Sequence, residues 1–113
     1  MLTIEKLEKI GADTKEGLGR CMGNEAFYFR LIGMAAADPG FEKLDRAVQA
    51  NDLDAAFEAA HALKGVLGNL SLTQLYAPVS ALTELLRGRT PGDYRQQVAE
   101  ILRLRDELKE LCV

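Results

Sequence analysis

The chain has 113 residues, of which 48% are hydrophobic and 27% are charged, a composition that fits one folded domain over residues 1–113 and excludes a disordered chain. The 17 acidic residues outnumber the 14 Lys and Arg residues, and the net charge of −3 excludes a broad basic surface for nucleic acid or anionic lipid. Cys21 and Cys112 are far apart in the chain and only one histidine is present, so we expect free thiols, no metal site and a cytoplasmic protein.

Capping residues and glycines outline three helices in the N-terminal part of the chain. Thr3 is positioned to cap the first helix, and Gly11 follows it as a C-terminal stop. Asp13 opens a second helix that ends at Gly23, and Asn24 caps the third. Each of these helices carries apolar residues three or four positions apart, so each has one face to bury.

Four more helix starts are marked by a capping residue or by a proline at the first helical position. They are Asp38-Pro39, Asn51-Asp52, Ser71 with Gln74, and Thr90-Pro91. Pro78 leaves two alternatives open: the helix after Ser71 is kinked, or residues 71–76 form a turn and the main helix begins near Pro78. Because no alternating strand pattern occurs, the sequence predicts an all-α fold, an antiparallel four-helix bundle with additional short N-terminal helices.

The stretch from Gly65 to Thr83 has no charged residue and is about as long as a transmembrane helix, which raises the question of a membrane span. Its Asn, Ser, Thr and Gln side chains would lack hydrogen-bond partners in hydrocarbon, and Pro78 would interrupt the helical hydrogen bonds. We therefore expect two helices that meet at a turn within this stretch, and no association with a membrane.

The only histidine, His61, is predicted to lie on the solvent side of its helix. Apolar residues from Leu53 to Leu70 recur at steps of three and four and form a core-facing seam. At about 100° per residue, His61 lies roughly 130° from the centre of that seam. The residues within about 60° of His61 in this projection are Phe57, Lys64, Gly65 and Gly68.

Two glycines within one helix require an explanation, because each costs about 1 kcal/mol relative to alanine at an exposed helical position. Close packing between helices is the ordinary explanation. Gly65, however, points nearly opposite the seam, so packing inside the bundle does not account for it. We expect Gly65 and Gly68 to leave clearance through which another protein reaches the imidazole of His61.

The segment His61-Ala62-Leu63-Lys64-Gly65 resembles the H-x-L-K-G motif of histidine phosphotransfer (Hpt) domains of bacterial two-component phosphorelays. The order and spacing of Asn51-Asp52, Ala59-Ala60 and Asn69 are also similar to that family, and the resemblance covers essentially the whole chain. The chain departs from the family at Val66, where a small residue is common, and at Ser71-Leu72, where Gly-Ala is common. We expect both departures to affect the angle of the helical hairpin, and through it the choice of partner, but not the phosphoryl chemistry.

The resemblance implies a helical bundle in which two helices form a hairpin that presents the histidine. His61 would be the phosphoacceptor, and the partners would be receiver domains of response regulators or of hybrid sensor histidine kinases. These partners bring their own Mg²⁺, so no cofactor is expected in this chain, which we expect to be a monomer. Phe57 becomes a candidate for the apolar part of a docking patch, and the alternative is that it is a core residue at the edge of the seam.

The residue types suit that chemistry. An exposed imidazole is largely neutral near pH 7 and so offers a nucleophilic lone pair. Lys64, one turn further along, supplies a cation for the phosphoryl oxygens, worth about 1 kcal/mol in water and up to about 4 kcal/mol near a protein surface. No nucleotide-binding glycine loop is present, so we expect a phosphocarrier protein and not a kinase.

Three other functions stay open at this point. The chain could be a non-transferring adaptor or binding module with the same fold. A phosphohydrolase acting through His61 would need a general acid or a metal beside it, which the flank around His61 does not offer beyond Lys64. A purely structural or dimerising bundle would bury the flank around His61.

Overall fold

A computed structural model describes residues 1–113 and consists of seven α-helices. They are α1 (Ile4–Lys9), α2 (Thr14–Arg20), α3 (Glu25–Ala36), α4 (Gly40–Gln49), α5 (Leu53–Asn69), α6 (Thr73–Arg87) and α7 (Arg95–Leu111). No strand is present. The all-α prediction is therefore confirmed.

The last four helices form the bundle. α5 packs against α4 and α6, and α7 also packs against α4 and α6, so the four helices close a ring in which α5 and α7 are diagonal. The connections at residues 50–52 and 70–72 are short, and neighbours joined by such turns must run antiparallel. α3 packs against α7, and α2 contacts both α1 and α3.

The core of the bundle follows the predicted seams. In α5 the fully or nearly fully buried residues are Ala56, Ala60, Leu63 and Leu67. Leu7 of α1 and Tyr28 of α3 are buried in the same core as the bundle helices. The N-terminal helices thus share the hydrophobic core of the bundle rather than enclosing one of their own.

Four predicted helix caps are present. Thr3, Asp13, Asn24 and Asp52 each accept a hydrogen bond through the side chain from the backbone N–H three residues further on. Asp38 also accepts a backbone hydrogen bond, from Gly40, at which α4 begins. The capping residues therefore predict the first residue of five helices correctly to within one position.

The predicted capping box of Ser71 and Gln74 is wrong. α6 begins at Thr73 without a side-chain cap, and the amide group of Gln74 has no hydrogen-bond partner. Ser71 instead adopts a positive φ of 55°, and its hydroxyl donates to Glu16 Oε1 at 2.8 Å. The Ser71 hydroxyl is therefore engaged in a tertiary contact with Glu16 and does not cap α6.

α6 continues from Thr73 through Pro78 to Arg87. Of the two alternatives that the sequence left open for this helix, a main helix that begins near Pro78 is therefore wrong. Pro78 lies in the second turn of a continuous helix, where its ring removes one backbone donor from the ladder.

The predicted start of the last helix at Thr90-Pro91 is also wrong, because α7 begins at Arg95. The segment before it is fixed by Tyr94, which is buried and donates its hydroxyl proton to the Thr90 carbonyl oxygen. Asp93 accepts hydrogen bonds from the guanidinium of Arg95 and from its backbone N–H, and these contacts, the first above all, lower the pKa of Asp93 to about 2.

The turn between α5 and α6 is held by the N-terminal segment. The backbone N–H of Asp13 donates to the Ser71 carbonyl at 2.9 Å, and the Tyr28 hydroxyl donates to the Leu70 carbonyl at 2.8 Å. Arg20 reaches the carbonyl of Gly68 at 2.9 Å. Together with the bond from Ser71 to Glu16, these contacts form what we call the N-terminal clamp.

The stretch from Gly65 to Thr83 contains the end of α5, a turn and the start of α6, as predicted. None of the seven helices combines the length and the apolar character needed to cross a membrane. Cys21 and Cys112 are both free thiols, as expected. No three or more His, Cys, Asp or Glu side chains are grouped as metal ligands would be.

Candidate functional site

His61 lies in the middle of α5 with its side chain exposed, as the helical projection predicted. The helix that carries it is capped by Asp52, whose carboxylate accepts from the backbone N–H of Ala55 at 3.1 Å. Lys64 lies one turn further along and is partly buried, with 29% of its side chain exposed. The fold therefore presents an imidazole and a neighbouring ammonium group on one rigid helix.

The ring of Phe57 stacks on the imidazole of His61, with centroids 5.6 Å apart and an interplanar angle of 27°. The same ring also contacts Arg87 at the end of α6 and Arg89 just after it. Their guanidinium groups lie 5.2 Å and 4.4 Å from its centroid. Such cation–π contacts favour a cation over the face of an aromatic ring. Phe57 is thus partly covered by two arginines and connects them to His61.

The contacts between α5 and its partner helix follow one antiparallel register. They join Gly68 to Tyr76, Lys64 to Glu84, Phe57 to Arg87, and Asp54 to Arg89 just beyond the end of α6. In this register, the turn of α6 that carries Glu84 lies beside the turn of α5 that carries His61 and Lys64. The site is therefore formed by two helices, of which sequence reasoning had identified only one.

Glu84 is the acidic member of this site. Its carboxylate lies 3.0 Å from a guanidinium nitrogen of Arg87 and 3.9 Å from the ammonium nitrogen of Lys64. The hydrogen bond from Arg87 lowers the pKa of Glu84 most, and the charges of Arg87 and Lys64 lower it further. Glu84 is consequently ionised at neutral pH.

Glu84, Arg87 and Arg89 were not identified as site residues from the sequence. The spacing of Glu84 and Arg87 indicates only an ion pair between residues three apart on one helix, and arginines at the positions of Arg87 and Arg89 are typical of a helix C-terminus, where they favour the helix dipole. Only the register between α5 and α6 brings these three residues to His61.

The two glycines of α5 differ in their surroundings. A Cβ atom added at Gly65 would meet nothing within 4 Å, so the backbone beside His61 is open. A Cβ atom added at Gly68 would lie 3.1 Å from the ring of Tyr76. The gap that the sequence suggested at Gly68 is therefore filled from within the molecule, because the approach of Tyr76 to the helix backbone accounts for that glycine.

The family model described as Hpt domain matches residues 34–112, which is more than half of the chain. The chain belongs to the Hpt domain family. The matched region includes the whole ring of α4 to α7 and therefore both helices of the site.

Hpt domains carry phosphoryl groups on histidine in phosphorelays and are phosphocarriers rather than kinases. Their partners are response regulator receiver domains or kinases. Residues 1–33 of the chain, which include α1, α2 and most of α3, lie outside the matched region. Searches among curated proteins and among solved structures each gave no match.

Proposed function

We propose that this Hpt domain accepts a phosphoryl group on His61 from the aspartyl phosphate of one receiver domain and passes it to another. The observation that carries the proposal is the exposed imidazole in the middle of α5, with Lys64 one turn away and open backbone at Gly65. Phosphoryl transfer needs an accessible in-line nucleophile and nearby positive charge, and these residues supply both.

The reaction requires no redox step and no co-reactant beyond the two receiver domains. The lone pair of a neutral ring nitrogen of His61 forms the N–P bond while the P–O bond to the donor aspartate breaks. The electron pair of that P–O bond leaves with the aspartate carboxylate, and the other ring nitrogen keeps its proton. The same exchange in reverse returns the phosphoryl group to the acceptor aspartate.

Lys64 is proposed to stabilise the phosphoryl oxygens, because its stem is held on the same flank of α5 as His61. Gly65 is proposed to provide clearance for the receiver, and Phe57 to contribute apolar surface at the edge of the contact. Mg²⁺ is expected only in the receiver domain, and no cofactor in this chain. We expect the protein to act as a monomer in the bacterial cytoplasm.

The test uses the purified chain and a panel of receiver domains labelled with radioactive acetyl phosphate. Label should appear on the wild-type chain and should be labile in acid and stable in alkali, as phosphohistidine is. His61→Gln should abolish labelling, while circular dichroism and the melting temperature stay nearly unchanged, because an exposed side chain contributes little to the core.

Two further variants refine the result. Lys64→Ala should slow labelling without abolishing it, since one surface cation supplies only about 1 to 4 kcal/mol of electrostatic stabilisation. Label that persists on His61→Gln would refute the proposed phosphoacceptor. A chain that binds receiver domains but is never labelled would instead be the non-transferring adaptor with the same fold.

A further inference from the structure

The three cations on the Phe57 and α6 side of His61, which are Lys64, Arg87 and Arg89, each have a carboxylate partner. Lys64 and Arg87 both contact Glu84, at 3.9 Å and 3.0 Å, and Arg89 contacts Asp54 at 2.6 Å. In the absence of a phosphoryl group, Glu84 therefore pairs with Lys64 and Arg87, the cations that would otherwise be free to attract a phosphoryl group on His61.

Phosphorylation changes the charge balance of this site. A phosphoryl group adds close to two negative charges and three strong acceptor oxygens. It would be attracted by Lys64, which lies on the same flank of α5, but it would also meet the carboxylate of Glu84 from α6. The remaining carboxylate near His61 on α5, Glu58, lines the groove toward α4 instead.

We propose that Glu84 takes the place of the phosphoryl group in the unphosphorylated protein and, by competing for Lys64 and Arg87 and repelling the phosphoryl oxygens, keeps phosphohistidine at His61 in a readily discharged state. This inference rests on the proposed phosphoacceptor role of His61. Glu84 is in this sense a positioning residue, because it acts through the two cations and through its charge. It sets how strongly the chain holds the phosphoryl group, and therefore how readily the next receiver domain takes it.

The alternative is that Glu84 only forms surface ion pairs. Its side chain is 57% exposed, and exposed pairs of this kind contribute little to stability. Removing the charge should therefore leave the fold and the melting temperature nearly unchanged under either explanation. The two explanations differ only in the equilibrium of phosphoryl transfer, which is the quantity to measure.

The experiment measures the equilibrium constant for transfer between the wild-type chain and a receiver domain that labels it, with Mg²⁺ present. Glu84→Gln removes the charge and keeps the shape of the side chain. We expect it to shift the equilibrium roughly three- to tenfold toward the phosphorylated chain, as removal of one solvent-screened unit charge beside the site would do. Glu84→Asp retains the charge and should stay closer to the wild type.

Glu100→Gln is the matched control. Glu100 also pairs with an arginine three residues further along its helix, Arg103, and is about half exposed, but it lies on α7, diagonally across the bundle from α5. Its loss changes the net charge by the same amount and should leave the equilibrium unchanged. Raising the salt concentration should reduce the difference between Glu84→Gln and the wild type, because exposed charges are screened.

Equal equilibrium constants for Glu84→Gln, Glu100→Gln and the wild type would overturn the role of Glu84 and leave the proposed function intact. A shift of the same size in both variants would also overturn it, because the effect would then come from net charge alone. A failure to label the wild-type chain on His61 with any receiver domain would overturn the proposed function and this inference together.

Discussion

A Cβ atom added at Gly65 would touch nothing, although the residue lies one turn from His61 in a continuous helix. We predict that Gly65→Ala raises the free energy of unfolding by about 1 kcal/mol, because glycine is the poorer helix former. Gly65→Gln and Gly65→Arg should also fold, but their side chains would project into the approach to His61. Phosphoryl transfer should fall as the side chain lengthens.

Thermal unfolding and a transfer time course on this series of variants measure both effects. If Gly65 were required for packing, alanine would already destabilise the protein and the longer side chains would do so by about 1 to 3 kcal/mol or more. Stability and transfer that decline together would therefore contradict the clearance role.

At the scale of the secondary-structure element, α2 offers a pair of glycines for testing the N-terminal clamp. A Cβ atom added at Gly17 would lie 2.3 Å from the hydroxyl oxygen of Tyr28, whereas one added at Gly19 would meet nothing within 4 Å. We predict that Gly17→Ala destabilises the protein by about 1 to 3 kcal/mol, because it displaces the Tyr28 hydroxyl from the Leu70 carbonyl.

Gly19→Ala is the matched control for this prediction, since it adds the same methyl group to the same helix in open space. It should leave stability unchanged or raise it slightly. Chemical denaturation of the two variants checks the result, and equal stability of the two would show that the contact between α2 and Tyr28 does not hold the turn.

Helix starts could be predicted from the sequence wherever the capping interaction is local. Asp13 and Asp52 each bond to a backbone N–H three residues away, so the pattern contains all that is needed. The prediction failed at Ser71, whose hydroxyl bonds to Glu16, far away in the sequence. It failed again before α7, where the burial of Tyr94 keeps the preceding residues out of the helix.

The candidate site could be predicted only in part, for a similar reason. The helical period was enough to put His61, Lys64 and Gly65 on one flank, because all three belong to α5. The period says nothing about which residues of α6 lie across from them. Glu84 and Tyr76 are set opposite Lys64 and Gly68 by the way the two helices pack, and that register depends on the whole interface.

At the scale of the whole molecule, Tyr28 makes the free energy of unfolding depend on pH in the alkaline range. Its side chain is buried, and burial raises its pKa from the ordinary 10.0 to about 12. The neutral form is favoured by folding, so this contribution is fully present below pH 10 and is lost as the pH rises toward 12. We predict that wild-type stability falls by about 2 to 3 kcal/mol more than that of Tyr28→Phe over this range.

Denaturant unfolding of both proteins at several pH values between 8 and 12 provides the comparison. Tyr28→Phe starts from a lower stability, because it leaves the Leu70 carbonyl without the hydroxyl donor. The two curves should converge as the pH rises. Parallel curves would mean that Tyr28 does not resist ionisation in the folded protein.

The organisation of residues 1–113 as one domain stays a prediction. It is favoured by Leu7 and Tyr28, which lie outside the region matched by the Hpt family yet are completely buried in the core shared with α4 to α7. The N-terminal clamp joins the same two parts of the chain at the turn between α5 and α6.

The stacking of Phe57 on His61 also gives the protein a built-in spectroscopic reporter. An aromatic ring generates a magnetic ring current, and the two carbon-bound protons of the imidazole lie within its reach at a centroid distance of 5.6 Å. Because His61 is the only histidine, those protons give the only imidazole resonances of the chain. A change in the stack, whether from a phosphoryl group on the ring or from a partner that displaces Arg89, is therefore visible in a proton spectrum of the unlabelled protein.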